Sequence, residues 1–133
     1  MSLLDQYYRK INYLRVSVTD RCDLRCVYCM KEKMNFLPKS KILSSEEINE
    51  ICSTFIDLGI KKIRITGGEP LIKKGMPTIL NYLGKKLNNS NLEELTLTTN
   101  GTQLHKYAKM IKQNGIKRIN VSLDTLDTKK YMI

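Results

Sequence analysis

A parallel α/β fold is predicted by three observations. Short runs of alternating apolar residues recur along the chain, a stretch with helical apolar spacing separates each run from the next, and glycine or other turn residues punctuate the junctions. Strand, helix, strand, helix in this order implies parallel strands joined by right-handed crossovers, in either an open sheet or part of a barrel. With 133 residues, 41% apolar and 27% charged, the chain suits one globular domain of modest core.

The first strand is predicted at 12–18. The helix after it, 45–58, opens with Ser44-Ser45-Glu46-Glu47 as capping signals, carries Ile48, Ile51, Cys52, Phe55 and Ile56 on one stripe, and stops at Gly59. A second strand, 62–66, leads through Gly67-Gly68-Glu69-Pro70 into a helix at 76–87. Pro77 fits the first turn of that helix, and Met76, Ile79, Leu80, Leu83 and Leu87 line one face. The third strand, 94–99, turns at Asn100-Gly101 into a helix that aligns Leu104, Tyr107, Ala108 and Ile111 and closes at Gly115. A fourth strand is placed at 118–123, and the chain ends in what reads as the first turn of a fourth helix.

Strand parity is the more informative signal, because successive side chains point to opposite faces. One face carries Leu14, Val16, Val18, Ile63, Ile65, Leu95, Leu97, Ile119, Val121 and Leu123, and should meet the helices. The other carries Arg15, Ser17, Arg64, Thr66, Thr96, Thr98, Asn120, Ser122 and Asp124. A closed eight-stranded barrel fills its interior with bulky branched side chains, so a polar inner face suits a polar ligand. An open sheet with one wet face is the alternative.

The formal charge of +10 favours anionic partners without choosing among nucleotide, nucleic acid and membrane surface. Its lysine pairs are scattered as solvated surface, and no nucleic-acid motif accompanies them. No apolar stretch is long enough for a membrane span or opens the chain as a secretory signal, so the expected compartment is the cytoplasm.

Of four cysteines, three form Cys22-x3-Cys26-x2-Cys29 directly after the first strand, where βα loops place active sites. Clustered thiols in a reducing compartment point to metal. A 4Fe-4S cluster takes one thiolate per iron, so three cysteines leave one iron open to an outside ligand. Zinc held by the three cysteines and His105 is the alternative. Cys52 lies on the buried stripe of the first helix and reads as a small core residue.

With Tyr28 before the last cysteine, this spacing resembles the radical S-adenosylmethionine (SAM) superfamily. Gly67-Gly68-Glu69-Pro70 resembles its second motif, in which two glycines let backbone approach the ligand closely. Within the superfamily the chain is similar, nearly end to end, to the GTP 3′,8-cyclase family of molybdenum-cofactor biosynthesis. The likeness runs through Asn12–Cys22, Tyr28-Cys29-Met30, Ile63–Leu71, Thr98-Thr99-Asn100-Gly101 and Asn120–Asp127.

The resemblance implies a 4Fe-4S cluster on Cys22, Cys26 and Cys29, SAM against Tyr28, Gly68 and Ser122, and GTP against Arg15, Arg64 and Thr98. It also implies a lyase in which reductive cleavage of SAM yields a 5′-deoxyadenosyl radical. That radical would take hydrogen from C3′ of GTP, so that C3′ bonds to C8 and gives 3′,8-cyclo-7,8-dihydroguanosine 5′-triphosphate. No side chain is needed as a general base. Arg15, Arg64, Thr98 and Ser122 all fall on the polar face that parity alone assigned.

The fold it implies is the N-terminal part of a partial TIM-like (β/α) radical SAM barrel with four parallel strands. Residues 1–133 would be a truncated core domain, lacking later strands and the region of a second 4Fe-4S cluster, with absent or impaired activity. Lys31 departs from the proline usual in the family. GTP is the implied substrate partner, a homodimer is compatible with longer relatives, and neither nucleic acid nor membrane is expected. The electron donor is not indicated. Two alternatives stay open: another peptide- or nucleotide-modifying radical SAM enzyme, and a basic Fe-S or zinc module that binds nucleic acid.

Overall fold

The computed structural model describes residues 2–23 and 37–131. In chain order the elements are β1 (Leu3–Leu4), β2 (Lys10–Ile11), β3 (Tyr13–Ser17), α1 (Ser45–Asp57), β4 (Lys62–Thr66), α2 (Met76–Lys86), β5 (Glu94–Thr99), α3 (Leu104–Gln113), β6 (Ile119–Val121) and α4 (Thr128–Tyr131). Short 3-10 turns lie at Lys39–Lys41 and Pro70–Ile72.

Strands β3 to β6 form a four-stranded parallel sheet in the order β3-β4-β5-β6. Each new strand is added beside the last, so right-handed crossovers carry the connecting helices over one face, as in a segment of a (β/α) barrel. In register, Ile63 pairs with Leu14 and Leu95, and Ile65 with Val16 and Leu97. Those apolar rows meet Ile48, Cys52 and Ile56 of α1 and Met76, Ile79, Leu80 and Leu83 of α2 in one core.

Local signals explain the boundaries. Ser44 caps α1 by accepting from the Glu47 N–H, and the Glu47 carboxylate accepts from the Ser44 N–H in return, a closed capping box. The predicted stripe of α1 is slightly rotated: Ile51 is exposed and Asn49 is buried in its place.

Two further expectations are corrected. Val121 and Leu123, expected on a helix-covered face, are 48% and 50% exposed: β6 is an edge strand whose Ile119 packs against the core, and Leu123 lies beyond its end. Thr96, expected on the wet face, is buried, and its hydroxyl donates at 2.7 Å to the carbonyl of Arg118, the residue before the edge strand.

The β1–β2 hairpin was not anticipated. It pairs Leu3 with Ile11, and Asp5 closes its turn by accepting from the Tyr7 and Arg9 N–H groups and from Arg9 Nε. The turn has no glycine: Tyr8 itself takes φ 62°. No alternating pattern can announce strands of two residues.

Candidate active site

The carboxyl ends of β3, β4 and β5 converge, and backbone joins them first. Gly68 N–H donates to the Thr19 carbonyl at 2.8 Å and Glu69 N–H to the Arg21 carbonyl at 2.7 Å, so the loop after β4 zips against the chain entering the cysteine loop. Only glycine permits this approach. A Cβ at Gly68 would stand 2.0 Å from the Arg21 carbonyl oxygen, and one at Gly67, where φ is +151°, would stand 2.6 Å from that of Thr19. The closest neighbour of both glycines is therefore protein backbone.

Glu69 joins the second pair of loops. The residue is 1% exposed, and its carboxylate accepts from Thr99 Oγ1 at 2.6 Å, Asn100 N–H at 2.6 Å and Leu71 N–H at 3.2 Å. A carboxylate this buried persists only when such donors replace its water.

Asn100, whose backbone Glu69 holds, turns its side chain to the cysteine loop. Its Nδ2 donates to Asp23 Oδ1 at 2.8 Å and lies 3.8 Å from Cys22 Sγ, within reach of an N–H to sulfur hydrogen bond. Thr102 Oγ1 donates to the other Asp23 oxygen. Partial burial pushes the Asp23 carboxyl up, but hydrogen bonds from Thr102, Asn100, its own backbone and Gln103 outweigh that and leave it below the ordinary value of 3.8.

Cys22 is thus half-buried under a side-chain donor, a setting that suits a metal-bound thiolate, which accepts hydrogen bonds and donates none. Cys52 is the contrast. It is fully buried in the core, where burial pushes its thiol up to about 11. Cys26, Cys29 and Tyr28 lie outside the described residues. His105 is an exposed residue of the first turn of α3.

Below this loop layer lies the polar face of the sheet. Arg15 and Arg64 are register partners on β3 and β4. Arg64 Nη1 donates to Thr98 Oγ1 at 3.0 Å, and its Nε donates to Tyr13 Oη at 2.7 Å. The ion pairs among the described residues are Arg9–Asp5, Lys61–Glu93, Lys62–Glu94 and Arg118–Glu94, so neither Arg15 nor Arg64 is neutralised there by a carboxylate. Two arginines in register, with no carboxylate partner among the described residues, suit an anionic ligand.

Of the expected site residues, Arg15, Arg64 and Thr98 come together on this face. Gly68 and Ser122 lie at strand ends, and Ser122 is an exposed residue whose N–H donates to the Thr99 carbonyl at 2.9 Å. Sequence reasoning missed Glu69, Thr99, Asn100 and Asp23, which hold the loops together. A glutamate directly after two glycines at a strand end was the available signal for the first. For Asn100 the sequence shows a turn position and a place in the Thr98–Gly101 likeness, and neither signals its bond to Asp23.

Comparison with known proteins gives the same direction. The family model described as the radical SAM superfamily matches residues 16–133. The chain is 57% identical over 130 residues to a GTP 3′,8-cyclase of Bradyrhizobium diazoefficiens, covering 98% of this chain and 38% of that protein. Against the GTP 3′,8-cyclase of Mesorhizobium japonicum it is 54% identical, covering 98% of this chain and 40% of the relative. Against that of Caulobacter vibrioides it is 57% identical, covering 94% and 36%. The chain therefore spans about two-fifths of the length of these curated relatives.

Proposed function

This chain belongs to the radical SAM superfamily, and from that premise we propose that it acts in the manner of a GTP 3′,8-cyclase, with Cys22, Cys26 and Cys29 holding a 4Fe-4S cluster. The observation that carries the GTP reading is the pair Arg15 and Arg64, in register on the polar face, with Thr98 bonded to Arg64 and no carboxylate partner for either arginine among the described residues. Guanidinium groups bind phosphate oxygens bidentately, and a triphosphate offers several. The fit to a cluster rests on donor chemistry: three cysteines at a spacing that suits one metal site, the first of them under the Asn100 donor.

When bound, the cluster and SAM supply the one-electron chemistry, which protein side chains cannot perform. The chain's own residues orient and screen. Arg15 and Arg64 hold the phosphates, Thr98 fixes the tilt of Arg64, and Tyr28, Gly68 and Ser122 receive SAM. Since the cofactors carry the hard chemistry, no side chain is needed as a general base. The proposed setting is the cytoplasm, with GTP as the substrate.

Anaerobic reconstitution with iron and sulfide tests the metal. The expected result is one oxygen-sensitive 4Fe-4S cluster per chain, lost in Cys22→Ser, with a reduced EPR signal that changes when SAM is added. Zinc uptake without iron would overturn it. GTP binding by calorimetry tests the substrate: Arg15→Ala and Arg64→Ala are each expected to weaken it at least tenfold, roughly the loss of one charge-assisted hydrogen bond. Unchanged affinity in both variants would remove GTP from this face.

A further inference from the structure

Arg64 is held from two sides by neutral oxygen. Tyr13 Oη accepts from Nε at 2.7 Å and Thr98 Oγ1 accepts from Nη1 at 3.0 Å, with Tyr13 two residues before Arg15 on the same face of β3. We propose that Tyr13 is a positioning residue for the anion-binding face: it fixes the guanidinium plane of Arg64 so that the remaining N–H groups present to the ligand without reorganisation. This inference rests on the reading that Arg64 binds a phosphorylated ligand.

The geometry carries it in three steps. A free arginine side chain samples many rotamers, and ordering it on binding costs affinity that pre-ordering saves. Nε and Nη1 point in different directions from a planar group, so acceptors on both fix its tilt as well as its place. Both acceptors are uncharged hydroxyls, so Arg64 keeps its full charge for the ligand, which a carboxylate at position 13 would cancel.

Tyr13 is itself braced. Lys62, its register partner on β4, sets Nζ 5.0 Å from the centre of the Tyr13 ring, and the same Nζ lies 3.9 Å from Glu94 Oε1 on β5. The cation over the ring face orients the ring by its quadrupole and leaves the hydroxyl directed at Arg64.

Tyr13→Phe removes the acceptor and keeps the ring and its contact with Lys62. Calorimetry on the anaerobically reconstituted chain would compare GTP and inorganic triphosphate as probes. The expected result is about a tenfold loss of affinity for both in Tyr13→Phe, the scale of one hydrogen bond to a charged group. SAM affinity should be unchanged, and the exposed control Tyr7→Phe should show no effect. In the Arg64→Ala background, Tyr13→Phe should add less than twofold, since its action runs through Arg64.

A merely structural role would weaken SAM and GTP together and would add to the Arg64→Ala loss, and either result overturns the proposal. Full GTP affinity in folded Tyr13→Phe also overturns it while leaving the GTP reading intact. If the unaltered chain binds triphosphate but not GTP, the GTP reading fails and the Tyr13 effect is read on triphosphate. If it binds neither, both fall.

Discussion

The two cysteines that the structure describes sit in opposite surroundings, and the contrast separates two ways of building one domain. Around Cys52, α1 and α2 press branched apolar side chains onto β4 and β5, and the attraction is undirected. Around Cys22, at the carboxyl ends of the strands, order comes from directed bonds: the Gly68 and Glu69 N–H groups donate to the Thr19 and Arg21 carbonyls, Thr99 and Asn100 donate to Glu69, and Asn100 donates to Asp23. A core of the first kind tolerates changes that conserve volume. A layer of the second kind fails when one atom is misplaced, because each donor removed strands a buried partner.

The sharpest way to break that contrast is Gly68→Ala. The added methyl must displace the Arg21 carbonyl, 2.0 Å from its ideal position, and with it both backbone bonds to the cysteine loop. A loss of about 3 kcal/mol in urea denaturation is expected, together with failure to retain iron after reconstitution. Wild-type stability in this variant would show that the loops give way freely.

Glu69→Gln comes next. The amide keeps the shape but brings an N–H toward donors at Thr99, Asn100 and Leu71, so about 2 kcal/mol should be lost in the same assay. A neutral result would mean that the carboxylate is dispensable as an acceptor.

Cys52→Ala sharpens the other side. It should cost about 1 kcal/mol at neutral pH by leaving a small void, with the cluster retained. Its pH dependence is directional. Burial raises the folded thiol from the ordinary 9.0 to about 11, so below pH 9 both states are protonated and the thiol's contribution is complete. Between about pH 9 and 11 the unfolded state ionises first, and wild-type stability should fall relative to Cys52→Ala, as measured by parallel denaturation curves. Parallel curves across that window would show that the thiol reaches water. The smallest effect is expected for Leu126→Ser: Leu126 is 91% exposed, so the unfolding free energy in urea should change by no more than about 0.5 kcal/mol.

The same contrast governs how much could be read from the chain. β4 and β5 were placed to the residue, and the polar face was legible, because alternation over five or six residues is a strong signal. The core of α1 and α2 followed from helical spacing. What escaped was directed or non-local. Asn49 displaced Ile51 because tertiary packing rotated the helix, and Val121 and Leu123 were exposed because parity specifies a face but not whether anything covers it. The role of Glu69 depends on partners thirty and thirty-one positions later in the chain, which no local pattern encodes.

Because Glu69 is shared between the second and third loops, and the two residues before it are moulded to the first, these segments are not separable parts. A chimaera that exchanged one of them alone would receive half of each joint: a carboxylate without its hydroxyl, or a methyl where the neighbouring chain passes. Variation can reach this rim of the sheet only as a set of matched changes, whereas the apolar core around Cys52 accepts single changes that conserve volume. An exchange that keeps both joints therefore has to carry the three loops together.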